Sequence, residues 1–89
     1  MVDIAKCPLC NDSADRATLP AGNGYLYDCA SCGGKFEMGT GAYGRAERGQ
    51  LHAEIPAKVR ELIHADGIPR IEFEAGSGTF RIIPDVLRK

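Results

Sequence analysis

The C-terminal half of the chain opens with apolar side chains at helical spacing. They recur every three or four positions within residues 55–65, as Ile55, Val59, Leu62 and Ile63. This period predicts one amphipathic helix with an apolar stripe along one side. Asp66-Gly67 predicts the end of that helix, with Gly67 placed to adopt the left-handed cap conformation.

Beyond Pro69 the hydrophobic period changes from that of a helix to that of a strand. Residues 70–74 and 79–83 alternate between polar and apolar, and Gly76-Ser77-Gly78 separates them. The pattern predicts a β-hairpin with one apolar face, made of Ile71, Phe73, Phe80 and Ile82. Because an isolated hairpin is marginally stable in water, we expect it to pack on the helix, on the N-terminal half or on a second copy of the protein. Residues 84–89 follow as a short tail.

The N-terminal half contains shorter segments of strand character. Residues 12–19, 25–28 and 35–38 are the three candidates, and a Pro-Ala-Gly-Asn-Gly turn at 20–24 separates the first two. A glycine-rich passage at 39–44 then follows, without the glycine order of a nucleotide-binding loop. We interpret that passage as a turn or connector, and residues 45–50 fit either a short helix or a loop.

Four cysteines form two C-x-x-C pairs within this N-terminal half. The first pair is Cys7 and Cys10, the second is Cys29 and Cys32, and 18 residues lie between them. A C-x-x-C turn places two thiolates on one side of a tight knuckle, and two facing knuckles complete the tetrahedron that zinc prefers. Asn11 and Gly33, which follow the two knuckles, are suited to a left-handed backbone. The spacing therefore predicts one structural Zn2+ bound by the four cysteines.

Three other uses of the cysteines are weighed against zinc. Disulfides need an oxidising compartment, which the N-terminus does not indicate. A thioredoxin-like redox pair uses one C-x-x-C beside a βαβ unit, whereas this chain has two pairs and no such unit. Iron held by four thiolates has the same ligand geometry, so the sequence does not separate it from zinc.

The segment from Lys6 to about Met38 resembles the zinc-ribbon superfamily through its C-P-x-C and C-x-x-C-G motifs. It is loosely similar to the Lar-like restriction-alleviation ribbons, and its motif form is common in small bacterial and phage proteins. The resemblance implies a three-stranded zinc-binding fold over about residues 6–38. Zinc ribbons bind DNA, RNA or proteins, so the resemblance implies no single function.

Together these patterns predict a small α+β fold. We expect an N-terminal three-stranded zinc ribbon, one amphipathic helix and a C-terminal β-hairpin. The expected division is a ribbon at residues 1–40, a glycine-rich and polar connector at 41–52, and a helix-plus-hairpin unit at 53–89. This last unit is expected to pack on the ribbon or on a second copy.

Composition and charge narrow the classes of function. The 89 residues include 11 Lys and Arg against 12 Asp and Glu, a net charge of -1. This balance argues against a protein whose main role is to bind phosphate backbones. No apolar run approaches the roughly 18 residues that cross a membrane, and the N-terminus has no signal-peptide pattern. We expect a cytoplasmic protein with no membrane contact.

No catalytic arrangement is recognisable. Four thiolates would fill the shell of the metal, which leaves no open position for a substrate. His52 and His64 lack the spacing of a metal or nucleophile motif, and the serines lack a nucleophile-elbow context. We therefore expect no enzyme and no small-molecule substrate.

Two binding functions remain as hypotheses. The first is a protein–protein interaction or regulatory module that contacts an unidentified protein partner or itself. The second is a nucleic-acid-binding ribbon, although residues 1–45 hold four basic and five acidic side chains. The candidate binding residues for these functions are Tyr25, Tyr27, Tyr43, Lys35 and Arg45.

Overall fold

The computed structural model describes residues 2–74 and 76–86. Within these residues the chain forms six strands and two α-helices. The strands are β1 (Val2–Lys6), β2 (Ser13–Thr18), β3 (Tyr25–Cys29), β4 (Gly34–Met38), β5 (Arg70–Glu74) and β6 (Thr79–Ile83). The helices are α1 (Thr40–Glu47) and α2 (Glu54–His64). Residues 87–89 of the predicted tail lie outside the described part of the chain.

All six strands belong to one mixed sheet in the order β1-β2-β3-β4-β5-β6. Neighbouring strands are antiparallel except β4 and β5, which are parallel. At this parallel junction, Glu37 donates its N–H to the Pro69 carbonyl at 2.8 Å, and Gly39 donates to the Ile71 carbonyl at 2.8 Å. The sheet therefore continues from the cysteine-containing half into the C-terminal hairpin.

Both helices lie on the same face of the sheet, which we call the covered face. From α1, the Tyr43 ring contacts that of Tyr25 with centroids 4.6 Å apart. From α2, Ile63 packs beside Gly34, which is paired with Cys29. Successive side chains of a strand alternate between faces. The opposite, open face therefore carries a row made of Ile4, Asp15, Asp28 and Lys35.

The core fills the space between the covered face and the helices. Buried side chains from β3, β4, β5 and α2 meet there, and three of the four cysteines belong to the same cluster. Its largest fully buried members are Tyr27, Phe36, Met38, Ile71 and Val59. The cysteine-containing segment and the C-terminal half thus share one core.

The predicted fold class is wrong in its architecture. The three ribbon strands, the helix and the hairpin are all present, but as parts of a six-stranded sheet with an additional strand, β1, and an additional helix, α1. The parallel pairing of β4 with β5 joins the predicted ribbon to the predicted hairpin, and no local hydrophobic period encodes such a pairing. The division into 1–40, 41–52 and 53–89 stays a prediction.

Helix α1 occupies the segment expected to be a connector. Its sequence, TGAYGRAE, contains two glycines, which are poor helix formers. Tertiary contacts override that propensity, because Ala42 is completely buried and Gly41 approaches Phe73 of β5. A Cβ atom placed on Gly41 would lie 3.6 Å from the Phe73 Cβ.

Helix α2 ends one residue earlier than predicted, and the residue in its left-handed cap conformation differs. Asp66 has a φ of 66°, whereas Gly67 has no positive φ and is needed for space. A Cβ on Gly67 would lie 2.8 Å from the Pro84 carbonyl oxygen. Neither helix of the described chain is long and apolar enough to cross a membrane.

Candidate metal centre

Two equivalent knuckles carry the four cysteines. In the first, the Asn11 N–H donates to the Cys7 carbonyl at 2.9 Å, and in the second the Gly33 N–H donates to the Cys29 carbonyl at 3.0 Å. Asn11 has a φ of 65° and Gly33 a φ of 97°. The predicted left-handed backbone after each knuckle is therefore confirmed.

The sheet places the two knuckles at the same end. The first connects β1 to β2 and the second connects β3 to β4, while β2 and β3 are antiparallel neighbours. A hydrogen bond also links the knuckles directly, because the Ser31 hydroxyl donates to the Asp12 carboxylate at 2.7 Å. Backbone pairing thus brings together cysteines that are distant in the sequence.

The four sulfur atoms form a compact cluster. All lie within 4.8 Å of one another, with Cys7 Sγ 3.7 Å from Cys32 Sγ and Cys10 Sγ 3.5 Å from Cys29 Sγ. A tetrahedron with metal–sulfur bonds of about 2.3 Å has edges of about 3.8 Å, close to both distances. The four thiols are free of disulfides. This donor set can hold a metal ion.

Burial makes the cluster a poor place for unpaired thiolates. Cys7, Cys29 and Cys32 are buried, and Cys10 is half-buried. Burial raises the pKa of the Cys7 thiol well above its usual range and raises the pKa of Cys32 to about 11. A bound dication would compensate this penalty, because thiolates are its ligands and the positive charge stabilises them.

Hydrogen-bond donors around the sulfurs partly offset the burial. The backbone amides of Leu9 and Cys10 face the Cys7 sulfur and lower its pKa against the larger effect of burial. Burial also raises the pKa of Cys29. The Cys32 amide and the neighbouring thiols lower this pKa by more than burial raises it, so the net shift is downward. These donors suit sulfur ligands that are deprotonated.

Helix α2 also affects the cysteines electrostatically, which the sequence did not indicate. Burial is the larger effect on Cys32 and raises the pKa of its thiol, whereas the Arg60 side chain lowers that pKa. Ile63, one turn along the helix, packs on Gly34 directly after the second knuckle. The helical period predicted the apolar stripe, but the effect of Arg60 on Cys32 follows only from the docking of α2 on the sheet.

The five candidate binding residues do not form one surface. Tyr25 and Tyr43 contact each other on the covered face, whereas Lys35 is exposed on the open face. Tyr27 is only 1% exposed and stacks on Phe36 at 5.3 Å, so its ring belongs to the core and offers no surface to a partner. Arg45 lies 4.2 Å above the Phe73 ring.

A cleft of about 450 Å³ adjoins the first knuckle. Arg16 lines this cleft, and its guanidinium is already hydrogen-bonded within the protein. It donates to both Asp3 carboxylate oxygens at 3.2 and 2.8 Å and to the Tyr43 hydroxyl at 3.2 Å. Its guanidinium also lies 4.7 Å above the Tyr25 ring. This network ties β1, β2 and α1 together, and no motif in the sequence identifies it.

Comparison with known proteins adds no relative. No protein-family model matches the chain, and neither a curated protein nor a solved structure matches it. The functional proposals below therefore depend on the geometry of the site and of the sheet.

Proposed function

We propose that this protein is a non-enzymatic interaction module whose fold is stabilised by one structural zinc ion. Its ligands are Cys7, Cys10, Cys29 and Cys32. The observation that carries the proposal is the cluster of four sulfurs within 4.8 Å of one another. Four thiolates complete the tetrahedral shell of zinc, so the ion holds the fold and has no open position for a substrate.

Zinc is proposed over iron because the site needs only a fixed tetrahedral cation. Zinc has no redox chemistry, and closed four-cysteine sites are typical of its structural role. Protein purified without added metal is expected to contain about one equivalent of zinc by elemental analysis. An equivalent of iron would contradict the identity of the metal. Less than about half an equivalent of either metal would contradict the metal centre as a whole.

The distribution of charge supports a protein partner over a nucleic acid. Two of the arginines are paired with carboxylates, Arg16 with Asp3 at 2.8 Å and Arg70 with Glu37 at 2.9 Å. Such pairing neutralises cations that would otherwise contact phosphates. The sheet also ends in strands β1 and β6, and an edge strand can accept a further strand from a partner.

The test compares zinc-loaded protein with protein stripped of metal by a chelator. The zinc-loaded form is expected to bind a protein, either itself or a partner cross-linked in its own cell extract, and the stripped form is expected to lose this binding. Neither form should shift DNA or RNA at low salt up to about 100 μM, a range in which even non-specific binders respond. A shift that weakens steeply with salt would contradict the proposal and favour the nucleic-acid alternative.

A further inference from the structure

Strand β1 is an edge of the sheet with outward-facing backbone groups. The Cys7 N–H donates to the Asp12 carbonyl at 2.7 Å, and in an antiparallel pair the backbone groups of successive residues face opposite sides. Asp3 and Ala5 therefore direct their N–H and C=O groups toward β2. Those of Ile4 and Lys6 point away from the sheet, where a further strand would bind.

The side chains on the open face of β1 are also unusual. Ile4 is 75% exposed, and among the described residues it alone is both a large hydrophobic residue and exposed. It lies in register with Asp15 of β2, which is directly opposite Asp28 of β3. Carboxylates in directly opposite positions repel each other. With Lys35 opposite Asp28 on its other side, the row combines an uncovered apolar side chain with two carboxylates and one ammonium group, and Asp15 is the carboxylate nearer the edge.

We propose that β1 pairs antiparallel with β1 of a second copy, so that the two sheets join into one. The proposal rests on the proposed function and names its partner. When a two-fold axis perpendicular to the sheet relates the copies, one residue of β1 lies opposite the same residue of the second copy. This follows because side chains of directly opposite residues point to the same face of a sheet. Centring the pair on Ala5 places the partner's Lys6 opposite Ile4.

This register satisfies each feature of the edge. The alkyl stem of the partner's Lys6 covers Ile4, and its ammonium group reaches the carboxylate of Asp15 in the next strand. The outward groups of Ile4 and Lys6 form a hydrogen-bonded pair on each side of the axis. Centring on Asp3 would instead oppose two carboxylates. Centring on Ile4 would shift the partner's Lys6 one row away from Asp15.

The opposite edge of the sheet is less suited to self-association. Strand β6 carries Arg81 at its centre, so a symmetric pair centred there would oppose two guanidinium groups. Association through β1 alone closes at two copies, because a two-fold contact uses the same strand of both. We therefore expect a dimer without larger assemblies.

The first experiment measures the molar mass of the zinc-loaded protein by sedimentation equilibrium from about 1 μM to 1 mM, a range that covers weak and moderate association. We expect a concentration-dependent dimer. Ile4→Pro should abolish it, because proline removes an outward N–H and leaves the pairing with β2 intact. The control is Arg81→Glu on the opposite edge, which should dimerise like the wild type. Zinc content and circular dichroism verify that both variants are folded.

The second experiment tests the register with a charge exchange. Lys6→Glu and Asp15→Lys should each weaken the dimer on the order of tenfold, since each replaces two symmetry-related attractions with repulsions. The combined variant should recover most of the wild-type affinity. Because Lys6 and Asp15 are also diagonal neighbours within one protomer, the decisive sample is a mixture of the two single variants. Its mixed dimer restores the attractions across the interface only, so association recovered in the mixture locates them there.

The outcomes separate this inference from the proposed function. A zinc-loaded protein that stays monomeric up to about 1 mM, or a dimer that Ile4→Pro leaves intact, overturns the pairing of β1. A combined charge variant no better than its single parents overturns the register. Capture of another protein by a zinc-loaded monomer would leave the proposed function standing while this inference fails. A dimer that persists without any bound metal would contradict the zinc-stabilised module of the proposed function and leave the pairing of β1 standing.

Discussion

Gly34 lies where the second knuckle meets helix α2, and a hydrogen atom is all that fits there. A Cβ on Gly34 would be 2.8 Å from Ile63 Cγ2, an approach that real Cβ atoms do not make. Because Ile63 is itself buried, the methyl group cannot move aside without displacing the helix. At the scale of single residues, the second cysteine knuckle and the helix are therefore in direct steric contact.

This contact predicts opposite effects of two glycine substitutions. Gly34→Ala should destabilise the protein by about 1–3 kcal/mol through overpacking. Gly44 lies inside α1, where a Cβ would have no atom within 4 Å, so Gly44→Ala should stabilise the protein by about 0.5–1 kcal/mol. Urea unfolding of the zinc-loaded variants measures both. Equal effects of the two substitutions would contradict the close packing of α2 on the second knuckle.

Tyr27 provides a prediction for alkaline pH. Burial raises the pKa of its hydroxyl to about 12 from an ordinary value of 10.0, and the neighbouring Arg16 lowers it only in part. The folded state thus favours the neutral phenol. The resulting contribution to stability is complete below pH 10 and is lost as the pH rises toward 12.

Burial also raises the pKa of Tyr43, so ultraviolet titration identifies the phase of Tyr27 by substitution. Tyr27→Phe should remove a late phase near pH 12. A late phase that survives in the variant would mean that another tyrosine is the one protected by burial.

At the scale of elements, α2 does more than cover the sheet. Its apolar stripe fills the core, while Arg60 on its flank lowers the pKa of the Cys32 thiol. Groups that hydrogen-bond to metal ligands orient them and stabilise their charged form. The helix therefore couples the metal centre to the packing of the C-terminal half.

Arg60→Ala should weaken zinc binding about 10–100-fold, as is typical for the loss of such a partner. Competition with a chromophoric chelator measures the affinity. Lys58→Ala, an exposed change on the same helix, is the matched control and should leave it unaltered. Equal affinities for the two variants would contradict a role of Arg60 at the sulfur.

Across the whole molecule, the shared core would make the proposed metal ion a determinant of the complete fold. Cys7, Cys29 and Cys32 belong to the same buried cluster as Val59 of α2 and Ile71 of β5. Structural zinc contributes about 10–16 kcal/mol at neutral pH, which equals or exceeds the roughly 5–15 kcal/mol of a typical domain. Loss of the ion should therefore destabilise parts of the fold beyond the two knuckles.

Chelation is expected to unfold the C-terminal hairpin together with the cysteine-containing half. Hydrogen exchange followed by NMR would show this as simultaneous loss of protection in β3 and in β5. Restoring zinc should recover both. A hairpin whose amides stay protected in the metal-free protein would contradict the cooperative core.

Local patterns in the sequence specify the parts of this protein that depend on local chemistry. The two C-x-x-C pairs specify the knuckles, because the turn between the cysteines and the left-handed residues Asn11 and Gly33 are local features. The helical period at 55–65 and the alternation on either side of Gly76-Ser77-Gly78 specify α2 and the hairpin, because each buries one face. The sequence likewise predicted that the four cysteines belong to one site.

How those parts are joined depends on long-range contacts that no local pattern marks. The parallel pairing of β4 with β5 depends on backbone groups that are the same in every residue, so no pattern of side chains marks it. The glycine-rich segment became α1 because Ala42 and Gly41 fit closely against the sheet, which outweighs their local propensity. Arg60 came to influence Cys32, and Ile4 came to an open edge, through the packing of distant segments. Local patterns specify elements, whereas contacts between segments far apart in the chain specify their arrangement.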